Sequence, residues 1–356
     1  MNFTSDTITP VRDLVMVVQD LYLPRELRGS AAALPDLPGF EQLARFGRHA
    51  RLPRGWREQL LHSAGRMDLE GVAPVCIAAA GLRTARVAES VGGEQPAARW
   101  IATPLHLRAH LRGVFLDQRG LLRLTEAEQA QLSAEFARSF PASACTLLPL
   151  PSGEFLLDTP GIAPLATPEP ARYAGCELDE LMPAGPAAVP LRRLLGEIEM
   201  WLHALPLNEA RRQRGAAPVS ALWPWGASGR IVCPAPEPAR RLPLACGRDA
   251  WLEGLWRLQG SAVQSAPQRL EELLAASVQA GVLLVELGGE LREDSDTTAD
   301  ALRRIDERLV SPALAALRRG TLERLSLIVN DVCVRIQRAS LRRFWRRPRR
   351  GLAGFV

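Results

Sequence analysis

Arginine and histidine side chains recur at short spacing in two stretches that could bind an anion. In TPLHLRAHLRG (103–113), apolar and polar residues alternate, which puts the polar side chains on one face of a predicted strand. In NEARRQRG (208–215), adjacent arginines fall in a predicted helix. A guanidinium group donates two parallel hydrogen bonds that match a phosphate or a carboxylate. The candidate anion-binding residues are therefore His106, Arg108, His110, Arg211 and Arg212. The alternative is that these arginines form ion pairs with carboxylates.

The elements that must position these residues follow from the apolar pattern. Valine-rich residues 13–23 predict a strand that is buried on both faces, and 280–289 and 322–336 predict two more. A helix between the last two ends at Gly320, which suits a left-handed C-terminal residue. Strand, helix and strand at this spacing indicate a parallel sheet.

The middle of the chain has a different pattern, typical of antiparallel strands. Thr125 and Glu128 have the spacing of a capping box, which predicts the start of a helix. We therefore expect an α+β domain inserted into an α/β core. The predicted divisions are a first part of the core (1–99), the inserted domain (100–205), a second part of the core (206–336) and a basic tail (337–356).

Charge is concentrated at the end of the chain. The net charge is +5, yet residues 335–350 alone contain eight arginines and no acid. This segment predicts either a solvated basic terminus or contact with nucleic-acid phosphates. The candidate contacts for nucleic acid are Arg342, Arg343, Arg346 and Arg347. No leader-like segment, no apolar run of spanning length and no CxxC pair occurs, so we expect a cytoplasmic protein without a membrane span and with reduced cysteines.

The stretch NEARRQRGAAPVSALWPWGASG (208–229) resembles the joint motif of the archaeal-type cofactor-independent phosphoglycerate mutases. The bacterial family of RpfE-type regulatory proteins is a closer resemblance, through LMPAGP (181–186), WPWG (223–226) and RFWRRP (343–348). Both resemblances imply an alkaline-phosphatase-like α/β core with a mostly parallel sheet and helices on both faces, plus an inserted α+β domain. The domain-joint motif comprises Asn208, Arg211, Gly215, Pro218, Trp223, Trp225, Gly226 and Gly229. The two tryptophans flank Pro224, which suggests opposite directions in an extended segment, and we expect both to pack into the interface between domains rather than to stack on a ligand.

The resemblance also implies a two-metal site with aspartate and histidine ligands and a serine or threonine nucleophile. The remnant metal candidates are Asp20, Asp294, Asp296 and Asp331. Val332 follows Asp331 where a histidine is expected, and no histidine occurs after His203. The prediction is therefore no catalytic residue and no cofactor, with weak Mg²⁺ or Mn²⁺ binding left open.

The expected function is that of a catalytically degenerate phosphomutase-like protein with a regulatory or scaffolding role. Whether it retains a pocket for an anion or a phosphate at the domain joint is left open by the sequence. Its partner would be a protein or a phosphorylated small molecule. One alternative is an active metal-dependent phosphoglycerate mutase or phosphatase with altered ligands. The other is a regulator that binds nucleic acid through the arginine-rich tail.

Overall fold

The computed structural model describes residues 12–19, 21, 36–82, 97–110, 113–141, 144–178, 181–229, 242–275, 280–286, 298–342, 345–347, 352 and 355. The strands are β1 Asp13–Gln19, β2 Arg48–Arg51, β3 Ala97–His110, β4 Gly113–Leu121, β5 Thr146–Pro149, β6 Phe155–Pro160, β7 Ala221–Ser228, β8 Leu244–Cys246, β9 Ala280–Glu286, β10 Arg324–Val329 and β11 Val332–Gln337. The α-helices are α1 Pro38–Phe46, α2 Trp56–Ala64, α3 Pro74–Ala80, α4 Glu126–Ser139, α5 Val189–His203, α6 Pro206–Gln213, α7 Ala250–Arg257, α8 Leu270–Leu274, α9 Thr298–Ile305 and α10 Ser311–Arg319.

The chain forms two compact units, each built from discontinuous segments. The first unit contains Met1–Glu70, Ala239–Arg248 and Ser261–Val356. The second unit contains Gly71–Pro238 and Asp249–Gly260. The protein thus has a mixed α/β fold with two sheets, as the sequence predicts.

A six-stranded, mostly parallel sheet forms the first unit, in the order β2-β11-β10-β1-β9-β8. β1 pairs in parallel with both β9 and β10, β8 pairs in parallel with β9, and β11 and β2 add two antiparallel strands at one edge. Met16 on one face of β1 and Val17 on the other are both fully buried, which explains the unbroken apolar run.

A buried carboxylate positions helix α1 in this unit. Asp306 lies in a π-helical turn, Asp306–Val310, between α9 and α10. Its side chain accepts hydrogen bonds from the backbone N–H groups of Gly39 at 3.0 Å and Phe40 at 2.9 Å. N–H groups in the first turn of a helix have no hydrogen-bond acceptor within the helix. Asp306, from a distant part of the chain, supplies the acceptors for these two N–H groups of α1. Burial raises the pKa of Asp306, against the opposing effect of these hydrogen bonds.

The second unit contains a five-stranded antiparallel sheet. The strands run in the order β4-β3-β6-β5, and β7 also pairs with β3. Helix α4 begins with the predicted capping box, because Glu128 N donates to Thr125 Oγ1 and Thr125 N donates to the Glu128 carboxylate. Helices α3 and α7 pack so tightly that a Cβ on Gly254 would lie 1.8 Å from the carbonyl oxygen of Ile77. Only glycine allows that approach.

Some predicted strand and domain limits differ from the structure. The stretch 322–336 is not one strand, because Asn330 adopts a left-handed conformation (φ 50°) and the chain turns back at Asn330 and Asp331. Asparagine tolerates that conformation better than most residues, which permits a tight hairpin. The division at residues 205 and 206 also differs, since β7 pairs with β3 and so belongs to the second unit.

The described cysteines are reduced, and the described helices are too short or too polar to span a membrane. The five described cysteines, Cys76, Cys145, Cys176, Cys246 and Cys333, are free thiols. Burial raises the pKa of Cys246 and Cys333, so these two thiols stay protonated at neutral pH. Among the described residues, no helix is both long and apolar enough to cross a bilayer.

Candidate functional site

The joint motif, residues 208–229, forms a tightly bonded turn within the second unit. Asn208 is buried, and its side-chain amide donates to the carbonyl groups of Leu202 at 2.7 Å and Val219 at 2.8 Å. The side-chain oxygen Oδ1 of Asn208 accepts a hydrogen bond from the N–H group of Val219 at 2.7 Å. Helix α6 ends at Gln213, and Gly215 (φ 77°) follows two residues later with its N–H donating to the carbonyl of Arg212. The asparagine thus ties both sides of this turn together, which is a structural role.

Arg211 is buried and already has acceptors in this unit. Its Nε donates to the carbonyl of Ala217 at 2.7 Å, and its Nη1 donates to Glu128. Arg214 donates to the same carboxylate oxygen. Burial favours a higher pKa for Glu128, but the Thr125 N–H group and both arginines outweigh it and hold this pKa below its usual range. Glu128 therefore stays ionised. Its carboxylate accepts the hydrogen bond from the Arg211 guanidinium group that an anionic ligand would otherwise accept.

The remaining anion-binding candidates are separate from this cluster. Arg108 pairs with Asp117 on the neighbouring strand β4 at 2.5 Å, and the exposed Arg212 pairs with Glu209 on its own helix at 3.1 Å. His106 is half-buried, and its Nδ1 donates to the carbonyl of Pro218 at 3.0 Å. The side chain of His110 lies outside the described part of the structure. In the described residues, the three predicted arginines have carboxylate partners within the second unit.

Trp223 and Trp225 lie in the core of the second unit, in one hydrophobic cluster. The prediction that they point to opposite sides is wrong, because residues two apart in a strand share a face. Trp223 Nε1 donates to the carbonyl of Pro168 and Trp225 Nε1 donates to Thr103 Oγ1, both at 2.9 Å. Gly226 (φ 64°) follows, where an added Cβ would lie 3.1 Å from Pro74. Pro218 accepts the bond from His106, and Gly229 ends the segment just after β7.

The carboxyl ends of the parallel strands in the first unit are the place where α/β sheets usually bind ligands. Val18 lies opposite both Val285 and Val329, so β1, β9 and β10 end together. Asp331 is the second residue after β10, and its carbonyl accepts a hydrogen bond from Leu52 N at 2.7 Å. The other metal candidates, Asp20, Asp294 and Asp296, lie outside the described residues.

The described donors do not make up a two-metal site. Within the part of the chain that the structure describes, no three histidine, cysteine, aspartate or glutamate side chains are grouped closely enough to hold a metal ion. The resemblance would place the nucleophile near WREQLLHS (56–63), and Ser63 in this stretch donates its hydroxyl to the carbonyl of Gln59 at 2.9 Å.

The basic segment at the end of the chain is attached to the first unit. Arg346 donates to the carbonyl groups of Gly47 at 2.7 Å and Arg45 at 3.3 Å, and Leu352 and Phe355 are buried. Arg342 and Arg347 are exposed, whereas Arg343 lies outside the described residues. The prediction of a separate tail over 337–356 thus differs from the structure, because apolar residues beyond the arginines enter the core.

Glu128, the partner of the joint-motif arginines, was not predicted from the sequence. The signal was present, since the same glutamate was assigned to the capping box of α4, 83 residues before Arg211. The capping box uses only one of the two carboxylate oxygens of Glu128. The second oxygen was therefore available for a distant cation.

No protein-family model matches this chain, and no curated protein matches it. Among solved structures, it is similar to the cofactor-independent phosphoglycerate mutase from Thermoplasma acidophilum DSM 1728. That likeness has 17% identity, a TM-score of 0.38, and coverage of 92% of this chain and 90% of the other. It is also similar to the PH0037 protein from Pyrococcus horikoshii, with 13% identity, a TM-score of 0.39, and coverage of 92% and 88%. These likenesses concern the course of the chain and carry no argument about activity.

Proposed function

We propose that this chain is a phosphomutase-like protein that does not catalyse phosphoryl transfer and acts instead as a regulatory or scaffolding protein. The observation that carries the proposal is the pairing of Arg211 and Arg214 with Glu128. A substrate phosphate would have to displace a buried carboxylate from a buried guanidinium group. Such a displacement is costly, because either charge left alone in the interior loses its compensation.

The histidine distribution supports the same proposal. Metal-assisted phosphoryl transfer needs ligands that hold the ions and lower the pKa of the nucleophile. The chain has five histidines, none of them after His203, and Val332 follows Asp331. An imidazole ligand from the last third of the chain is therefore excluded by the sequence itself.

The test is a turnover assay with 3-phosphoglycerate and with a generic phosphate ester, in the presence of Mg²⁺ or Mn²⁺. The matched control is Asp331→Asn, which keeps the backbone bond between Asp331 and Leu52 and removes one carboxylate charge. We expect the purified protein and the variant to give the same background rate. A metal-dependent rate that is lost in Asp331→Asn and in Asp20→Ala would overturn the proposal and revive the active-enzyme alternative.

A further inference from the structure

A cavity of about 710 Å³ lies in the first unit, where α1 ends and the basic segment returns to it. We call it the α1 pocket, and its lining residues are Ala44, Arg45, Gly47, Arg48, His49, Arg346 and Arg347. Four of the seven carry a guanidinium group, one carries an imidazole, and none carries a carboxylate. Its volume falls within the range of pockets that bind small molecules.

Two of the four arginines build the pocket. Arg45 Nε donates to the carbonyl of Arg346 at 2.7 Å, and Arg346 donates in return to the carbonyls of Gly47 and Arg45. Arg346 thereby satisfies carbonyl groups at the end of α1 that no helical N–H can reach. Gly47 is required at this point because an added Cβ would lie 2.3 Å from Val334 Cγ1.

Packing holds the same segment in place from the other side. Phe355 is buried, its ring centroid lies 5.7 Å from that of Phe40, and the two rings are nearly perpendicular at 83°. It also lies 6.3 Å from the ring of His49, whose Nε2 donates to the carbonyl of Ala44 at 2.9 Å. The pocket walls are therefore held before any ligand arrives, which lowers the entropic cost of binding.

Among the described residues, no such bond orients the other two arginines of the pocket. Arg48, on the edge strand β2, and Arg347 are both exposed. Within the described ranges of the chain, no carboxylate forms an ion pair with Arg48, Arg346 or Arg347. This differs from the joint motif, where Arg211 and Arg214 share a glutamate.

We propose that the α1 pocket binds a small organic phosphate that carries at least two negative charges. Guanidinium groups bind phosphate oxygens through paired, charge-assisted hydrogen bonds, and a doubly charged ligand can use Arg48 and Arg347 together. The proposal does not depend on whether phosphoryl transfer is lost, because none of the lining residues belongs to the metal candidates or to the joint motif.

The experiment is isothermal titration calorimetry of the full chain with inorganic pyrophosphate and with adenosine diphosphate. The test variant carries Arg48→Gln and Arg347→Gln. The matched control is Arg319→Gln, an exposed arginine on α10 of the same unit that lies outside the pocket. We expect affinity to fall at least about tenfold in the double variant, from the loss of two charge-assisted contacts, and to stay within about twofold in the control.

Three results would overturn the proposal. One is no measurable binding of either probe, and another is an equal loss of affinity in Arg319→Gln, which would mean attraction to net charge alone. The third is tighter binding of a single-stranded oligonucleotide that depends on the same two arginines, which would assign the surface to nucleic acid. Far-UV circular dichroism of each variant checks that the fold is intact.

Discussion

Two clusters of arginines, one in each unit, use the same side chain in opposite environments. In the second unit, Arg211 is buried and, with Arg214, donates to Glu128. In the first unit, four of the described residues that line the α1 pocket are arginines and none of them is acidic. Clustering of arginine in the sequence therefore does not distinguish an internal ion pair from an anion site. The distinction depends on whether a carboxylate from elsewhere in the chain reaches the guanidinium group.

The largest effect is expected for Glu128→Gln. This change leaves Arg211 buried without its counter-ion, so the second unit should lose about 4 kcal/mol of unfolding free energy. Tryptophan fluorescence during urea denaturation is a suitable readout, because the second unit contains Trp100, Trp201, Trp223, Trp225, Trp251 and Trp256. The control is Glu126→Gln, an exposed glutamate on the same turn. Equal stability of the two variants would mean that the ion pair contributes nothing.

Phe355→Ala tests the other side of the comparison, the packing that holds the α1 pocket. Deleting a buried aromatic ring should lower the unfolding free energy of the first unit by about 3 kcal/mol. Thermal denaturation followed by circular dichroism measures it. Met67→Ala removes a side chain that is 41% exposed in the same unit and serves as the control. A loss no larger than that of the control would show that the chain end does not stabilise this unit.

Asn208→Ala should cost about 2 kcal/mol, because three buried backbone groups lose their hydrogen-bond partner. The measurement is the urea midpoint of the second unit. Gln213→Ala, an exposed amide on the same helix, is the comparison variant. An unchanged midpoint for Asn208→Ala would contradict a structural role for the joint motif.

The pH dependence of stability should follow Glu128. Its pKa is lower in the folded protein than in the unfolded chain, so the folded state binds fewer protons. The stability it contributes is present above the ordinary glutamate pKa of about 4.3 and is lost as the pH falls through the lower folded value. Urea midpoints of the wild type should decline more steeply on acidification than those of Glu128→Gln. Parallel curves would contradict this assignment.

The smallest stability effect is expected for Arg48→Gln combined with Arg347→Gln. Both side chains are exposed and have no carboxylate partner among the described residues, so the unfolding free energy should change by less than about 0.5 kcal/mol. Thermal denaturation without ligand measures it. A loss comparable to that of Phe355→Ala would mean that these arginines stabilise the fold, and the contrast between the two clusters would disappear.

Local signals in the sequence predicted local structure well. Thr125 and Glu128 predicted the start of α4, and Gly320 predicted the end of α10, where it has φ 82°. Both depend on contacts within a few residues. The stretch 322–336 was predicted wrongly, because apolar residues resume directly after Asn330 and Asp331 and no glycine or proline marks the turn.

The candidate site was harder to predict, because its residues meet from distant parts of the chain. The sequence pattern identified Arg211 and Asn208 as candidate residues. It did not identify the hydrogen-bond acceptors that give both residues a structural role. Arg346 was predicted as a nucleic-acid contact, yet it donates to backbone carbonyls some 300 positions earlier. No spacing rule covers such separations.

Four features follow from the amino-acid sequence without the folded structure: the α/β class, the helix limits set by caps, the absence of histidine after His203 and the concentration of arginine near the end of the chain. The tertiary structure alone decided which arginines are neutralised and which line an open pocket. Composition fixes how many guanidinium charges the chain carries. Whether one of them is free to bind an anion depends on its distance from the nearest carboxylate in the folded protein. Arg211 and Arg214 lie beside Glu128, whereas none of the described residues that line the α1 pocket around Arg48 and Arg347 carries a carboxylate.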